Sequence, residues 1–264
     1  MCKQSDPSSS FKIGFKYLLR GFFSFFLLVV TQSVYSGECS KTVYLTFDTG
    51  NMSVAEQVSE ILHRHQVKAT FFLANEKTFR HDFALDDAWK PFWNTLVQDG
   101  HAFGSHTFHH TYWQKDLGKD TVLVKSQFGP DANKLIQMQN NAYCQQITAV
   151  DQRFRTLTGR GLDKIWRAPG GKTSPRLVEY GKTCGFDHIG WSKAGFLGDE
   201  LPSDDFPNPF LLQRALAHLE NNDITMAHLG IWSRKDPWAP AVLEPLIIGL
   251  KSKGFCFKKI GEKS

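Results

Sequence analysis

The chain contains no Gly-x-Ser-x-Gly elbow, and Gly104-Ser105-His106 is not one. That argues against an α/β hydrolase built on a nucleophilic serine. No basic stripe is present to follow a nucleic-acid backbone. Internal repeats and low-complexity tracts are missing too, which sets repeat architectures aside. Cysteine is scarce, at five in 264 residues. With 41% apolar and 13% aromatic residues, the chain instead has ample material for one large core. A single domain is the expectation, since α/β barrels of this size fold as one unit.

Residues 1–36 are set apart. Lys12, Lys16 and Arg20 precede the apolar run Gly21 to Val30, and Val34-Tyr35-Ser36 offers small or neutral cleavage positions. This pattern predicts a secretory signal peptide, the run being short for a bilayer span, with an uncleaved anchor as the alternative. Export would place residues 37–264 in the periplasm or the outer cell envelope. That remainder carries 27 basic and 25 acidic residues, so the formal net charge of +5 falls to about +2. Its four cysteines, Cys39, Cys144, Cys184 and Cys256, allow three pairings and no spacing chooses among them. Buried free thiols at Cys184 and Cys256 are equally compatible with the sequence.

Periodicity predicts strands at 42–47, 67–73, 101–105, 165–167, 186–191, 223–228 and 255–260. Helices are expected between them. One opens at a Ser53–Glu56 capping box, one spans Trp89 to Gln98, and the longest runs from Ile136 to Gly159. Another starts at Ser174-Pro175, and two more cover 210–221 and 240–253. Residues 111–131 read as an irregular insertion or long loop. Seven strands alternating with helices predict an α/β fold, a distorted or incomplete (β/α)7 barrel.

The chemistry-bearing residues fall at one kind of place. Asp48, His106, Arg167, Trp191 and His228 each follow a predicted strand. In parallel α/β folds the carboxyl ends of the strands share a face where ligands gather. Singly, each has an ordinary structural reading: Asp48 capping a turn, Arg167 in a surface pair, His228 as a satisfied core histidine. Together they point to a site. His106 and His110 are four residues apart, and on a helical turn that spacing puts two imidazoles side by side, able to grip one metal ion.

These residues resemble the motifs of the polysaccharide deacetylases, carbohydrate esterase family 4, with its NodB-type homology domain. Thr46-Phe-Asp-Thr-Gly50 looks like the family's Thr-Phe-Asp-Asp-Gly, and His106-Thr-Phe-His-His110 like its His-x-x-x-His. Arg167-Ala-Pro-Gly-Gly171 is similar to Arg-x-Pro-aromatic-Gly, and Met226-Ala-His228 to Leu-x-His. Trp191 through Asp199 is a loose version of a fourth motif. The resemblance spans about residues 41–260. It implies metal-dependent hydrolysis of N-acetyl groups on a polysaccharide, with peptidoglycan preferred and chitin or xylan as alternatives. His106 and His110 would be ligands of a divalent ion, zinc by expectation, and Asp48 the general base paired with Arg167. His228 would be the general acid oriented by Asp199. Trp191 and Met226 would wall the acetyl pocket, and a backbone N–H near Gly170 would complete an oxyanion hole.

Three departures stand out. Thr49 occupies the place of the family's second, metal-binding aspartate, so either it ligates weakly or an acid such as Asp82, Asp86 or Asp87 reaches in. Gly170 replaces an aromatic, which would open the cleft. Asp199 lies further past Trp191 than the motif prefers. His109 is a reserve ligand. Thr49 also raises the rival reading of a non-catalytic glycan-binding domain.

Overall fold

The computed structural model describes residues 39–262, so the signal-peptide reading of 1–36 lies outside the described residues. None of the described helices is long and apolar enough to cross a membrane.

The strand carrying the first motif breaks at Leu45 into β1 (Lys41–Tyr44) and β2 (Thr46–Asp48). Helix α1 (Ala55–Arg64), β3 (Thr70–Leu73), α2 (Lys90–Gln98) and β4 (Ala102–Ser105) follow. Then come β5 (Thr111–Leu117), β6 (Thr121–Ser126) and β7 (Leu135–Gln139), before α3 (Asn140–Thr158). The second half runs through β8 (Ile165–Trp166), α4 (Pro175–Thr183), β9 (Asp187–His188) and α5 (Asn208–His218). It ends with β10 (Asp223–Ile224), β11 (Ala227–His228), α6 (Leu243–Ser252) and β12 (Phe255–Lys258).

Parallel ladders run β11-β2-β3-β4-β8-β9 and β10-β1-β12. Because β1–β2 and β10–β11 are each one interrupted strand, the described residues hold seven parallel positions, as predicted. The barrel stays open. Between β9 and β10–β11 the gap is spanned by the loop after β9, through a bond from the Ser192 N–H to the Ile224 carbonyl and a bridge from Phe196 to Met226. The fold is thus a distorted, incomplete α/β barrel.

Alternation along the strands separates core from site. Phe47, Phe71 and Phe103 stand in register on β2, β3 and β4 with ring centroids 5.5 and 5.9 Å apart, and Phe103 packs on Phe154 of α3 at 4.7 Å. One residue on, Asp48 and Phe72 face the barrel interior, where Arg167 lies over the Phe72 ring. Two disulfides, Cys39–Cys256 and Cys144–Cys184, settle the pairing and replace the free-thiol reading of Cys184 and Cys256. The first ties the approach to β1 to β12 across 217 residues.

Several local expectations are corrected. Residues 111–131 are no irregular loop: β5, β6 and β7 form an antiparallel meander. Burial in β6 alternates strictly, with Val122 and Val124 inward. Leu123, apolar on the opposite face between the two valines, hid this period-two signal. Ile136 belongs to β7, so α3 starts four residues later than predicted. The Ser53–Glu56 box does not form. Val54 holds the cap position without a side-chain bond, because 51–54 is a turn tied to the carbonyls of Leu229 and Gly230. Ser174 does cap α4, accepting from the Leu177 N–H at 3.1 Å.

Candidate active site

Asp48, Arg167, His106, His110, His228 and Asp199 meet at the carboxyl rim of the strands. Arg167 is fully buried and donates to Asp48 Oδ1 and Thr46 Oγ1, both at 2.8 Å. Its Nε–H and one Nη2–H reach the carbonyls of Ile189 and Gly190 at 3.2 and 3.0 Å. Four of the five guanidinium N–H groups are thereby engaged, which offsets much of the cost of burying the charge. Burial alone would raise the Asp48 pKa, but the charges of Arg167, His106 and His228 outweigh it and hold the carboxyl below its usual range.

His228 lies opposite Asp48 on the adjoining strand. Asp199 accepts the His228 backbone N–H at 2.6 Å and its Nδ1–H at 3.1 Å. Burial alone would depress His228, yet the Asp199 charge and hydrogen bond, with Asp48 and Glu200 nearby, push it up to about 10. Neighbouring strand ends therefore present an ionised carboxylate and a protonated imidazole.

The two histidines of the second motif do not sit on a helix. Residues 106–110 form a turn with positive φ at Thr107 (62°) and His110 (49°). The rings still converge, centroids 4.8 Å apart, because the turn folds back on itself through a bond from the His110 N–H to the Thr107 carbonyl. His106 Nδ1 donates to the Arg167 carbonyl at 3.0 Å, and His110 Nδ1 to Gln127 Oε1 at 2.6 Å. Both acceptors are oxygens without a proton, so Nδ1 is the donor in each ring and Nε2 is the atom through which a neutral ring would bind a metal. His106 Nε2 stands 3.5 Å from Asp48 Oδ2. Burial pushes His106 down to about 4 despite the attraction of Asp48, which keeps the ring neutral.

Thr49 is turned elsewhere. Its hydroxyl donates to Glu76 Oε1 at 2.5 Å and accepts the Ala74 N–H at 3.1 Å. Glu76, three residues past β3, also accepts the Gly50 N–H at 2.9 Å and is buried at the rim. Burial would raise its pKa, but His110, the Thr49 hydrogen bond and His106 bring it below the usual carboxylate range. Gly50 is obligatory here: its φ is +64°, and a Cβ would stand 2.2 Å from the Gly230 carbonyl oxygen.

The other proposed acids are engaged away from the site. Asp82 holds Thr78 and Trp89, Asp86 the Phe83 N–H, and Asp87 the guanidinium of Arg153. His109 turns toward Gln146, 3.4 Å from its Nδ1, and so is no reserve ligand. Gly170 does not open the cleft. A Cβ there would meet the Tyr112 ring at 3.0 Å, and that ring sits edge-on to His110 at 4.8 Å. An aromatic from β5 thus fills the space beside Gly170. Trp191 lies over Gly171, with its ring 5.5 Å from the Arg167 guanidinium. Met226 is buried two residues before His228 and accepts the Leu197 N–H through its carbonyl.

Sequence reasoning missed Glu76, Gln127 and Tyr112. Glu76 shares the signal that marked the others, a polar residue just past a strand. Gln127 and Tyr112 sit on the unrecognised meander and carried none.

Among the described residues, no three His, Cys, Asp or Glu side chains already stand around one metal position. The donor chemistry fits a divalent ion all the same. Two imidazoles have their Nδ1–H groups anchored and their Nε2 atoms unbonded, beside the carboxylates of Asp48 and Glu76.

Residues 36–189, more than half of the chain, match the polysaccharide deacetylase family, and the chain belongs to it. It is 27% identical over 165 residues to a chitooligosaccharide deacetylase of Azorhizobium caulinodans, covering 62% of this chain and 64% of that protein. It is 25% identical over 229 residues to the peptidoglycan-N-acetylmuramic acid deacetylase PdaA of Bacillus subtilis, covering 84% and 71%. The chain thus spans only 64% of the length of the first of these relatives. A family 4 acetyl xylan esterase of Clostridium thermocellum in complex with a cobalt ion shares the fold, with a TM-score of 0.62 at 20% identity over 83% of this chain and 88% of that one. Solved structures of this fold also include a family 4 pseudoenzyme.

Proposed function

We propose that the chain is an exported, metal-dependent deacetylase that hydrolyses N-acetyl groups of peptidoglycan. One observation carries this reading: an ionised Asp48 and a protonated His228 at the ends of adjoining strands. Two titratable groups whose surroundings push their pKa values apart form a base and an acid ready at the same pH.

His106 and His110 would hold the ion, zinc by preference. Bound there, it would polarise the acetyl carbonyl and lower the pKa of water toward 7. Asp48 takes the proton of the attacking water. Because its pKa is depressed it is a weak base, so the reaction depends on the water being made acidic. Arg167 keeps Asp48 ionised and aimed. His228 delivers its Nε2 proton to the departing amine while Asp199 holds the imidazolium. Trp191 and Met226 border the acetyl group, and the Gly170 backbone N–H faces the developing oxyanion. Peptidoglycan is preferred because the muramic acid deacetylase aligns over most of this chain. Chitin oligomers and acetylated xylan are the other substrates to test.

Thr49, in the place of an acid, favours a second reading as a non-catalytic glycan-binding domain. Acetate release from purified peptidoglycan, with and without chelator, decides between them. The expected result is chelator-sensitive release that Asp48→Asn lowers by about 10²–10⁴-fold. Mass spectrometry of the wall fragments identifies the deacetylated sugar. No release from any of the three glycans would leave the binding domain as the reading.

A further inference from the structure

Resting on the metal-dependent reading above, we infer that Glu76 supplies the anionic metal ligand that Thr49 cannot. Position 49 holds a neutral hydroxyl, which donates to Glu76 and accepts the Ala74 N–H, so it brings no charge and a single remaining lone pair. The carboxylate it binds comes from the neighbouring strand's end. Thr49 and Glu76 are 2.5 Å apart, so the negative charge lies where a slightly longer acidic side chain at position 49 would place it. The charge is carried by the loop after β3, beside the loop that carries Thr49.

The local backbone makes that placement firm. The Thr49 N–H bonds the Phe72 carbonyl, and the Asn75 N–H bonds the Phe108 carbonyl at 2.9 Å. Glu76 is therefore clasped between the loop carrying Asp48 and the loop carrying His106 and His110. Its Oε1 holds Thr49 and Gly50, whereas Oε2 makes no hydrogen bond among the described residues. A buried carboxylate without a cationic side chain bonded to it is costly. A divalent ion shared with the two imidazoles would offset that cost, and hard carboxylate with imidazole suits such an ion. Glu200 also faces His228 and His110 but is exposed, so it stands at the mouth and not in the cradle.

The test is Co²⁺ binding to the full chain, read by calorimetry and by the visible absorption of the bound ion, independently of turnover. Glu76→Gln keeps acceptors for Thr49 and Gly50 but removes the charge. It should weaken Co²⁺ binding by at least about tenfold, the loss typical even of groups that only support ligands. Thr49→Asp/Glu76→Gln, which returns the carboxylate from the other side, should recover affinity. His106→Ala should abolish binding. Wild-type affinity in Glu76→Gln, with binding lost in His106→Ala, would overturn the role of Glu76 and leave the metal reading standing. No uptake by the wild-type chain would sink both. If Glu76→Gln unfolds early, the double variant decides: a native melt with weak binding counts against Glu76, and recovered binding counts for it.

Discussion

Asp199 holds His228 by two hydrogen bonds, one to the backbone N–H at 2.6 Å and one to Nδ1–H at 3.1 Å. The pair spans 29 residues and fixes both the position and the protonation of the imidazole. With its pKa at about 10, against an ordinary 6.5, His228 is protonated through the neutral range. Acetate release should therefore decline only as pH rises toward 10. Asp199→Asn removes the carboxylate charge and lets burial lower the pKa, so this basic limb should move to lower pH. Profiles of kcat/KM against pH check this, and an unmoved limb would separate Asp199 from the acid. The same shift has a stability consequence. A pKa raised on folding stabilises fully below 6.5, progressively less between 6.5 and 10, and not at all above.

Arg167 and Asp48 form a fully buried ion pair, with Thr46 sharing the same guanidinium nitrogen. Removing the arginine leaves a buried carboxylate without its hydrogen-bonded guanidinium. Arg167→Ala should lose about 3–5 kcal/mol of stability at neutral pH, measured by urea unfolding. Arg167→Ala/Asp48→Ala, which removes both charges, should lose less than the sum of the two single variants. Strict additivity would show that the pair is not coupled.

Gln127 reaches His110 from the meander, accepting its Nδ1–H at 2.6 Å. The bond sets the tautomer that frees Nε2. Gln127→Leu should lower metal affinity by about 10–100-fold with the melting temperature little changed. Equal affinity in the variant would mean that the His110 ring is oriented by Tyr112 packing instead.

Much of this was legible in the sequence because it depends on local periodicity. Phe47, Phe71 and Phe103 alternate with site-facing residues, and strand ends at Asp48, His106, Arg167 and His228 follow from that pattern alone. The meander was not legible, since Leu123 between Val122 and Val124 breaks the apolar–polar alternation that marks a half-buried strand. Nor was the turn at 106–110, where the spacing suits a helix but the φ angles at Thr107 and His110 do not.

Chain order by itself determined which side chains belong to the rim, because parallel strands joined by helices must bring their carboxyl ends to one face. It also determined that position 49 carries no charge. Only the tertiary structure decided which acid stands beside it, since Glu76 lies 27 residues away and meets Thr49 through ladder pairing of β2 with β3. The disulfide partners and the grip of Gln127 on His110 were decided the same way. Each depends on a distance between segments, and a distance across the fold is set by packing that no local pattern records.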